Sequence, residues 1–464
     1  MIIRQGTYST STGGSYYRQF TLRGTSALPI KVYAWKNETV EIKGDAAASQ
    51  NILNFDVEYF VMDNLGFSQG SRGLRFLNSK HSVYSNLRVK NTGDVGISMN
   101  DGNALYQNNT FRYNEVSYTR GTGECFYLGC NNAGCKFIFN LLENNYCHHT
   151  STAAQGDGIE IKTGSYGNVV RNNVIHDGNY PGITLYSTYY NGVDKDIGIA
   201  NPNIIEGNII WTVKDNGIQV TGNAIIRNNI IYNAGASGIA IQTNQGIVEN
   251  VKVLHNTVVK AGAACIRVTN SGPGILIANN AAYCETTSSV YIASALPADG
   301  IISRNVIQGS TNVQVVNGTL NIGKFTTDFQ GSSALPYNVF PVVSSNVLGK
   351  ADSKYATTYD FNFNTRNGPT YDCGAYQANG ATSNPGWIPT TGFKNTNAPT
   401  PVNPVTPGAS KTPTPVNPGT SKTTPTNPAN SPTAVNSNKR VNNANVLMQS
   451  IAAMIVGLLV FIAI

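Results

Sequence analysis

The charged residues that are best placed to bind a metal or act in catalysis fall in one short segment, residues 156–162, with the sequence GDGIEIK. Its two isoleucines alternate with polar residues, which predicts a strand with Glu160 and Lys162 together on the outer face, about 7 Å apart. Asp157 lies where this strand begins. Two carboxylates can hold a divalent cation, and a neighbouring lysine can abstract a proton from a sugar ring. The alternative is an exposed Glu–Lys pair without a function, which contributes only about 0–1 kcal/mol.

A recurring hydrophobic phrase that contains Asn predicts the elements that position this strand. The copies place the amide at Asn64, Asn86, Asn109, Asn145, Asn173, Asn208, Asn229, Asn256, Asn280 and Asn305. Between them runs a second phrase, a small residue followed by period-two alternation. A period in the twenties with alternating residues predicts stacked coils, joined by a ladder of Asn amides. We therefore expect an all-β fold over residues 1–380, a right-handed parallel β-helix of about ten coils.

Two of the intervals between these Asn residues are longer than the rest, 36 residues before Asn145 and 35 before Asn208. The excess must leave the coil as loops, near residues 125–135 and 187–203, and these would form walls on either side of the charged strand. On adjacent coils, Tyr127, Thr184 and Gln219 are expected beside Glu160, and Asn100 and Tyr186 beside Lys162. The predicted substrate-binding residues are Asn100, Gln219 and, from the second loop, Tyr189 and Tyr190.

A second stripe of side chains lies three residues after each Asn. Its members are His148, His176, Trp211, Tyr232 and Tyr283. Equivalent residues on stacked strands lie about 4.8 Å apart, so these rings can stack for stability or form a platform for sugars. A metal site of His148, His149 and His176 with Cys147 is disfavoured, because the pattern directs Cys147 into the core.

Composition limits the class of partner. The net charge of +7 is scattered along the chain, which argues against a nucleic-acid surface and suits an acidic polysaccharide. The seven cysteines leave at least one thiol unpaired. If the protein is extracellular, we expect one disulfide among Cys125, Cys130, Cys135 and Cys147, with the connectivity open.

The C-terminal part of the chain changes character after residue 380. Twelve of the twenty prolines lie there, which predicts an extended stalk over residues 381–445 that is rich in Thr, Pro, Ser and Asn. The last 19 residues, 446–464, carry no charge and favour a GPI attachment signal over a transmembrane helix. The first residues do not form a signal peptide, so we expect that the true N-terminus is missing. Sequons at Asn37, Asn108 and Asn317 are compatible with secretion.

Three segments resemble the right-handed β-helix polysaccharide lyases and their relatives, a resemblance that covers roughly residues 1–378. Residues 24–34 (GTSALPIKVYA) are similar to the first-coil segment of that family. Residues 156–161 resemble the calcium motif DDGxDL of the family-nine pectate lyases. Residues 359–368 with 372–377 resemble a closing motif, DFDGxxR…DIGAYE, that is specific for the architecture and carries no information on activity.

The resemblance places Asp157 and Glu160 on two calcium-binding carboxylates of the pectate lyases, with Gly156 in place of a third. The catalytic lysine of that family belongs one coil further on, where this chain has Thr184. The spacing from Asp157 to Lys162 instead reproduces the Glu-to-Lys interval of the alginate and chondroitin lyases. Their essential Arg on the next coil has no counterpart near Tyr186.

These observations predict a monomeric, membrane-anchored cell-surface protein that engages an acidic polysaccharide. If it is an enzyme, we expect β-elimination, with Lys162 as base, Ca²⁺ on Asp157 and Glu160, and Tyr186 or Tyr127 assisting. Hydrolysis with the two carboxylates as acid and base is possible in principle. The competing prediction is a non-catalytic glycan-binding or adhesive protein, held away from the membrane by the stalk.

Overall fold

The computed structural model describes residues 1–10, 18–46, 49–313, 318–331 and 333–395. They belong to one compact unit. Its strands stack in three parallel rows, which we call A, B and C, and most coils contribute one strand to each row. The all-β parallel β-helix expected from the sequence is confirmed.

Row A is a 12-stranded parallel sheet. Its strands are Ile2–Ile3, Ile30–Ala34, Phe60–Asp63, Val83–Ser85, Thr110–Arg112, Leu141–Glu143, Val169–Arg171, Asn203–Glu206, Gly222–Arg227, Glu249–Leu254, Leu276–Ala278 and Ile301–Ser303.

Rows B and C together form a 25-stranded sheet. The strands of row B are Gly6–Ser9, Val40–Lys43, Gly66–Ser68, Arg88–Lys90, Glu115–Ser117, Tyr146–His148, Val174–His176, Ile209–Trp211, Ile230–Ala234, Thr257–Ala261, Ala281–Ile292, Asn305–Thr311 and Thr319–Leu320. The strands of row C are Gln19–Arg23, Leu53–Glu58, Leu74–Lys80, Ile97–Met99, Leu105–Gln107, Phe126–Leu128, Lys136–Ile138, Ile159–Ile161, Ile183–Leu185, Ile218–Val220, Ser237–Ile241 and Ala264–Val268. The long strand Ala281–Ile292 also continues row C.

A ladder of buried Asn side chains holds successive coils in register at the turn between rows A and B. Each amide donates to the next Asn carbonyl oxygen at 2.8–3.0 Å. Its members are Asn114, Asn145, Asn173, Asn208, Asn229, Asn256, Asn280 and Asn305. Because each buried amide finds a partner on the next coil, the ladder satisfies polar groups that would otherwise destabilise the core.

Three of the predicted ladder positions are wrong. Asn64 and Asn86 have left-handed backbone, with φ of 54° and 55°, and lie one residue before the ladder position. Asn109 starts a second ladder that precedes row A, and donates to Asn140 at 3.0 Å. Asn tolerates left-handed turns as well as ladder positions, so the residue type alone does not separate the two.

Close backbone contact between coils explains why a small residue precedes row C strands such as Ile159–Ile161. A Cβ placed on Gly158 would lie 2.4 Å from the carbonyl oxygen of Gly182 on the next coil. Glycine therefore lets the two backbones approach, and the inward isoleucines that follow it are almost completely buried.

The C-terminal wrap, which we define as residues 325–395, covers the outer side of row B. It contains the helix Phe325–Asp328, the antiparallel strands Phe329–Gly331 and Asn338–Pro341, and the 3₁₀ turn Ser353–Tyr355. Its apolar residues pack on Trp211, Tyr232 and Tyr283 of the aromatic stripe. All five members of the stripe, which also include His148 and His176, are only 1–7% exposed. The rings stack, His176 lying 4.4 Å from Trp211 between centroids. Because the stripe is buried, its interpretation as a sugar platform is wrong.

The closing motif anchors this wrap. The buried Arg366 guanidinium donates to Gly374 O at 2.8 Å and to Asn228 Oδ1 of the solenoid at 3.0 Å. Lys394 is completely buried and donates to Gly207 O at 2.8 Å. Packed chain thus continues beyond residue 380, while the predicted stalk and apolar tail from residue 396 onward lie outside the described residues. Within the described part, no helix is long and apolar enough to cross a bilayer.

A candidate acidic active site

The charged strand lies in row C as Ile159–Ile161, paired in parallel with the strands of the coils on either side. The register puts Tyr127 and Thr184 directly beside Glu160, as the repeat spacing predicts. The next coil places Gln219 beside Thr184. The sequence thus predicted which side chains share this row.

The row is buried, contrary to the prediction of an exposed outer face. Glu160 and Lys162 are only 3% and 5% exposed. The Lys162 ammonium lies 4.7 Å from the ring centroid of Tyr127 and 4.6 Å from that of Tyr186. Two aromatic rings from the flanking coils therefore enclose the lysine. The alternative interpretation, an exposed Glu–Lys pair that contributes little, does not apply because both side chains are buried.

Lys162, Glu160 and Tyr186 form a hydrogen-bonded group. Lys162 Nζ donates to Glu160 Oε1 at 2.5 Å and to Tyr186 Oη at 3.3 Å, and Tyr186 Oη donates to Glu160 Oε1 at 3.0 Å. Burial disfavours the ammonium, but Glu160 outweighs this effect together with the two tyrosines, and the pKa of Lys162 is raised. Burial and Glu160 raise the pKa of Tyr186 to about 12. At neutral pH the lysine is therefore charged and the phenol protonated.

A third carboxylate, Glu124, joins the site and was not predicted. It occupies the position of Asp157 on the preceding coil, since Phe126 pairs with Ile159. Carboxylate oxygens of Glu124, Asp157 and Glu160 all lie within 4.8 Å of one another. The strand register was the signal that could have found it, because the alignment that predicts Tyr127 beside Glu160 also places Glu124 in the position of Asp157.

Burial determines the protonation of these acids. It raises the pKa of Glu124 to about 7, with Glu160 adding to the effect. Burial and then Glu160 also raise the pKa of Asp157 well above its ordinary value, although Thr184 Oγ1 donates to Asp157 Oδ1 at 2.6 Å. The three carboxylates thus repel one another in a site where Lys162 supplies a single positive charge.

The donor set fits a hard divalent cation. Glu124 Oε1 and Glu160 Oε2 are buried and have no hydrogen-bond partner among the described residues. Oxygens bound to one Ca²⁺ ion at about 2.3–2.6 Å lie at most about 5 Å apart, which matches the span of this cluster. Glu124, Asp157 and Glu160 could therefore hold Ca²⁺, and the ion would satisfy both unpartnered oxygens.

The two predicted loops meet beside the site. The first contains the 3₁₀ turn Asn131–Ala133 and the second the helix Lys195–Ala200. An ion pair between Lys136 and Asp194 connects them. Gln245 adds a bridge, because its amide donates to Asn131 Oδ1 at 3.0 Å and its oxygen accepts from Thr163 Oγ1 at 3.0 Å.

The predicted substrate-binding residues are less tightly grouped. Asn100 Oδ1 accepts from Arg72 at 3.0 Å. Gln219 Oε1 accepts from Gln242 at 2.8 Å. In the second loop, Tyr189 is only 7% exposed and offers little surface to a ligand, while the next residue, Tyr190, is partly exposed.

Two disulfides lie on the coils beside the site and a third lies four coils further along the solenoid. Cys125 pairs with Cys147, Cys130 with Cys135, and Cys265 with Cys284. The remaining cysteine, Cys373, is a buried thiol, so the predicted unpaired cysteine is confirmed. Cys147 is unavailable as a metal ligand because its sulfur is in a disulfide.

Comparison with known proteins agrees with this architecture. Residues 140–282 match the family model described as right handed beta helix region. The resemblance to right-handed β-helix proteins is thereby confirmed for that part of the chain. A comparison with curated protein sequences finds no match.

Several solved structures are similar to this chain. Pectate lyase Pel9A is 15% identical, with 81% of this chain and 87% of that chain covered and a TM-score of 0.47. An alginate lyase from Paenibacillus sp. strain FPU-7 is 16% identical, with coverages of 67% and 91% and a TM-score of 0.41. The tailspike protein of an E. coli bacteriophage, in complex with a hexasaccharide, is 14% identical, with coverages of 66% and 59% and a TM-score of 0.46. At these values the similarities carry no argument about activity.

Proposed function

We propose that this protein acts on an acidic polysaccharide and cleaves it by β-elimination at a uronate residue. The observation that supports this proposal is the buried cluster of Glu124, Asp157 and Glu160, with two unpartnered oxygens, beside the enclosed Lys162. Such a cluster is unfavourable for folding and is typical of a site that binds a cation. Ca²⁺ is the cofactor that we propose, held by the three carboxylates.

When bound, the ion would neutralise the uronate carboxylate and thereby acidify the C5–H bond of the sugar. Lys162 is an ammonium while Glu160 pairs with it, so it could act as a base only after Glu160 is engaged by the cation, which would lower the pKa of Lys162 and let it release its proton to solvent. The resulting neutral amine would take the C5 proton while the C4–O bond breaks and a C4=C5 double bond forms. The departing oxygen needs a proton. The Tyr186 hydroxyl, kept protonated by its raised pKa of about 12, can donate one. Tyr127 encloses the lysine on the other side and excludes water from it.

A second function, glycan binding without cleavage, is favoured by one observation. The pKa of Lys162 is raised, chiefly because Glu160 outweighs the effect of burial, so the residue is an ammonium rather than a base. An ammonium enclosed by two tyrosines suits recognition of a uronate carboxylate.

The test uses the full chain, kept soluble in mild detergent, with pectate, alginate and chondroitin. Ultraviolet absorbance of the unsaturated uronate is followed with calcium or with chelator. Lys162→Ala and Lys162→Arg are compared with Lys252→Ala, which removes an exposed lysine. Calcium-dependent product that is lost in both Lys162 variants, and kept in the control, supports a lyase with Lys162 as base.

Other outcomes separate the alternatives. Product retained in Lys162→Arg contradicts the base assignment, because arginine keeps the charge and does not release its proton. New reducing ends without unsaturation indicate hydrolysis by the carboxylates. Glycan binding without any product supports the binding function.

We further propose that the protein is monomeric and is anchored to the outer cell surface through residues 446–464, by GPI rather than by a membrane span. The three disulfides support an oxidising compartment. Release from intact cells by a phosphatidylinositol-specific phospholipase is the expected result. Retention after that treatment would contradict the GPI anchor.

A further inference from the structure

A second cluster of ionisable side chains lies apart from the acidic site, where two row B strands end in turns. His149 and Asp177 both have left-handed backbone, with φ of 58° and 54°. Their turns stack on adjacent coils, since the His149 N–H donates to His176 O at 3.2 Å. Asp177 directly follows His176, so the three side chains meet at one edge of row B.

The ligand atoms of these side chains already lie together. One atom each from His149, His176 and Asp177 falls within 4.8 Å of the other two. His176 Nδ1 lies 2.8 Å and His149 Nε2 lies 3.8 Å from Asp177 Oδ2. Donors on one tetrahedral zinc ion, at about 2.0–2.2 Å from the metal, are separated by about 3.3 Å. One observed distance is shorter than that value and the other is longer, so small side-chain rotations would bring the ligand atoms to the positions that one zinc ion requires.

Hydrogen bonds behind His149 leave the lone pair of its Nε2 facing the cluster. His149 Nδ1 lies 2.6 Å from His148 Nδ1, and His148 Nε2 lies 3.2 Å from Glu115 Oε1. With a proton on His149 Nδ1 and on His148 Nε2, each ring donates to the next acceptor and the relay ends on a carboxylate. Such a carboxylate–histidine relay is the usual outer shell of a metal-binding imidazole.

His176 has the same arrangement. Its Nε2 lies 2.8 Å from the Tyr146 hydroxyl, which can accept a hydrogen bond from the Nε2–H group. In that tautomer the Nδ1 lone pair faces Asp177. The ring is buried, with 3% of its surface exposed. A neutral imidazole held by a second hydrogen bond is the form that binds a metal.

From this geometry we infer that His149, His176 and Asp177 form a binding site for a divalent transition-metal ion of the zinc class. Two imidazoles and one carboxylate suit zinc and its neighbours rather than calcium, which prefers oxygen ligands. The side chains of His149 and Asp177 are 42% and 36% exposed, so an ion can enter from solvent. Three protein ligands leave a fourth position for water or another exchangeable ligand. This inference is independent of the proposed lyase activity.

The experiment measures metal binding by the untagged full chain, stripped with chelator and dialysed into chelator-free buffer containing excess calcium. The excess calcium serves to saturate the acidic site before zinc is added. Zinc is then titrated, and the heat of binding is measured by calorimetry. Co²⁺ provides a second readout, because its visible absorption reports tetrahedral nitrogen and oxygen ligands. The variants are His149→Ala, Asp177→Asn and Glu115→Gln, with His81→Ala as the matched control. His81 stacks on Tyr59 and is outside the cluster.

We expect one zinc ion per chain and a tetrahedral Co²⁺ spectrum, both unchanged in His81→Ala. Glu115→Gln should weaken zinc binding by about 10-fold or more, as expected for an outer-shell partner, and loss of a direct ligand should weaken it further. Equal zinc affinity in His149→Ala, Asp177→Asn and the unsubstituted chain would overturn the assignment. Zinc binding only at millimolar concentration would also overturn it. Thermal unfolding of the metal-free variants checks that these partly exposed substitutions leave the fold intact.

Discussion

Replacing Glu124 by Gln tests whether the acidic cluster stores an electrostatic penalty that a bound cation relieves. Glu124 is fully buried, and its Oε2 accepts from Thr122 Oγ1 at 2.9 Å, whereas its Oε1 has no partner in the part of the chain that the structure describes. Glutamine has the same shape and can keep the contact with Thr122. Its amide can also donate toward Glu160, so the substitution removes a charge with little change in packing.

The magnitude follows from the pKa of Glu124, which burial, reinforced by Glu160, raises from 4.5 to about 7. Because the folded-state pKa is the higher one, the protonated acid stabilises the fold at low pH, and this contribution is lost as pH rises through 7. The difference of about 2.5 between the pKa values corresponds to about 3 kcal/mol, at about 1.36 kcal/mol per pKa unit. In chelator at about pH 8.5, Glu124→Gln should therefore raise the free energy of unfolding by about 3 kcal/mol. At about pH 4.5 it should have little effect.

The assay is guanidinium unfolding followed by tryptophan fluorescence at both pH values, with Glu285→Gln as a control for removal of an exposed carboxylate. Calcium adds a second comparison. At a hundredfold excess over its dissociation constant, it should stabilise the unsubstituted protein by about 2.7 kcal/mol and Glu124→Gln by less. Equal destabilisation of the variant at both pH values would refute the electrostatic reasoning. Equal calcium stabilisation of both proteins would refute the assignment of Glu124 as a ligand.

Three further substitutions address other parts of the structure. Lys162→Met should lower the free energy of unfolding by about 3–5 kcal/mol, because it leaves Glu160 buried without its cation; unchanged chemical denaturation would contradict this. Replacing Cys265 and Cys284 by Ser should lower it by about 2–4 kcal/mol, and no shift in the melting temperature under non-reducing conditions would contradict this. Arg366→Met should expose the C-terminal wrap to limited proteolysis while the solenoid stays protected, since the guanidinium connects the two. Cleavage at the same rate as in the unsubstituted protein would count against that role.

The architecture could be predicted because the same sequence patterns recur in successive coils of the solenoid. Period-two alternation fixes which side chains of a strand face inward, and the recurring sequence patterns align the strands of successive coils even where the coils differ in length. The pairing of Tyr127 and Thr184 with Glu160 follows from this alignment. The pattern does not identify the ladder residues of the N-terminal coils, where Asn64 and Asn86 occupy left-handed turns instead.

What covers the solenoid could not be predicted in the same way. The C-terminal wrap has no repeat, so its packing on Trp211 and Tyr232 depends on contacts between distant parts of the chain. The burial of Lys162 likewise depends on the conformation of two aromatic side chains and two irregular loops. The pattern predicts which way a side chain points, whereas its exposure is decided by elements that do not follow the pattern.

The position occupied by Glu124 and Asp157 shows why the acidic cluster is better explained by function than by stability. One coil earlier the equivalent residue is Val95, which is buried and satisfies the fold with no charge. Two successive coils instead carry a carboxylate there, beside Glu160, and burial raises the pKa of both. A solenoid can accommodate an apolar residue at this position, so folding does not require these acids. Local rules of this kind are broken mainly at functional sites, where a ligand supplies the missing interaction.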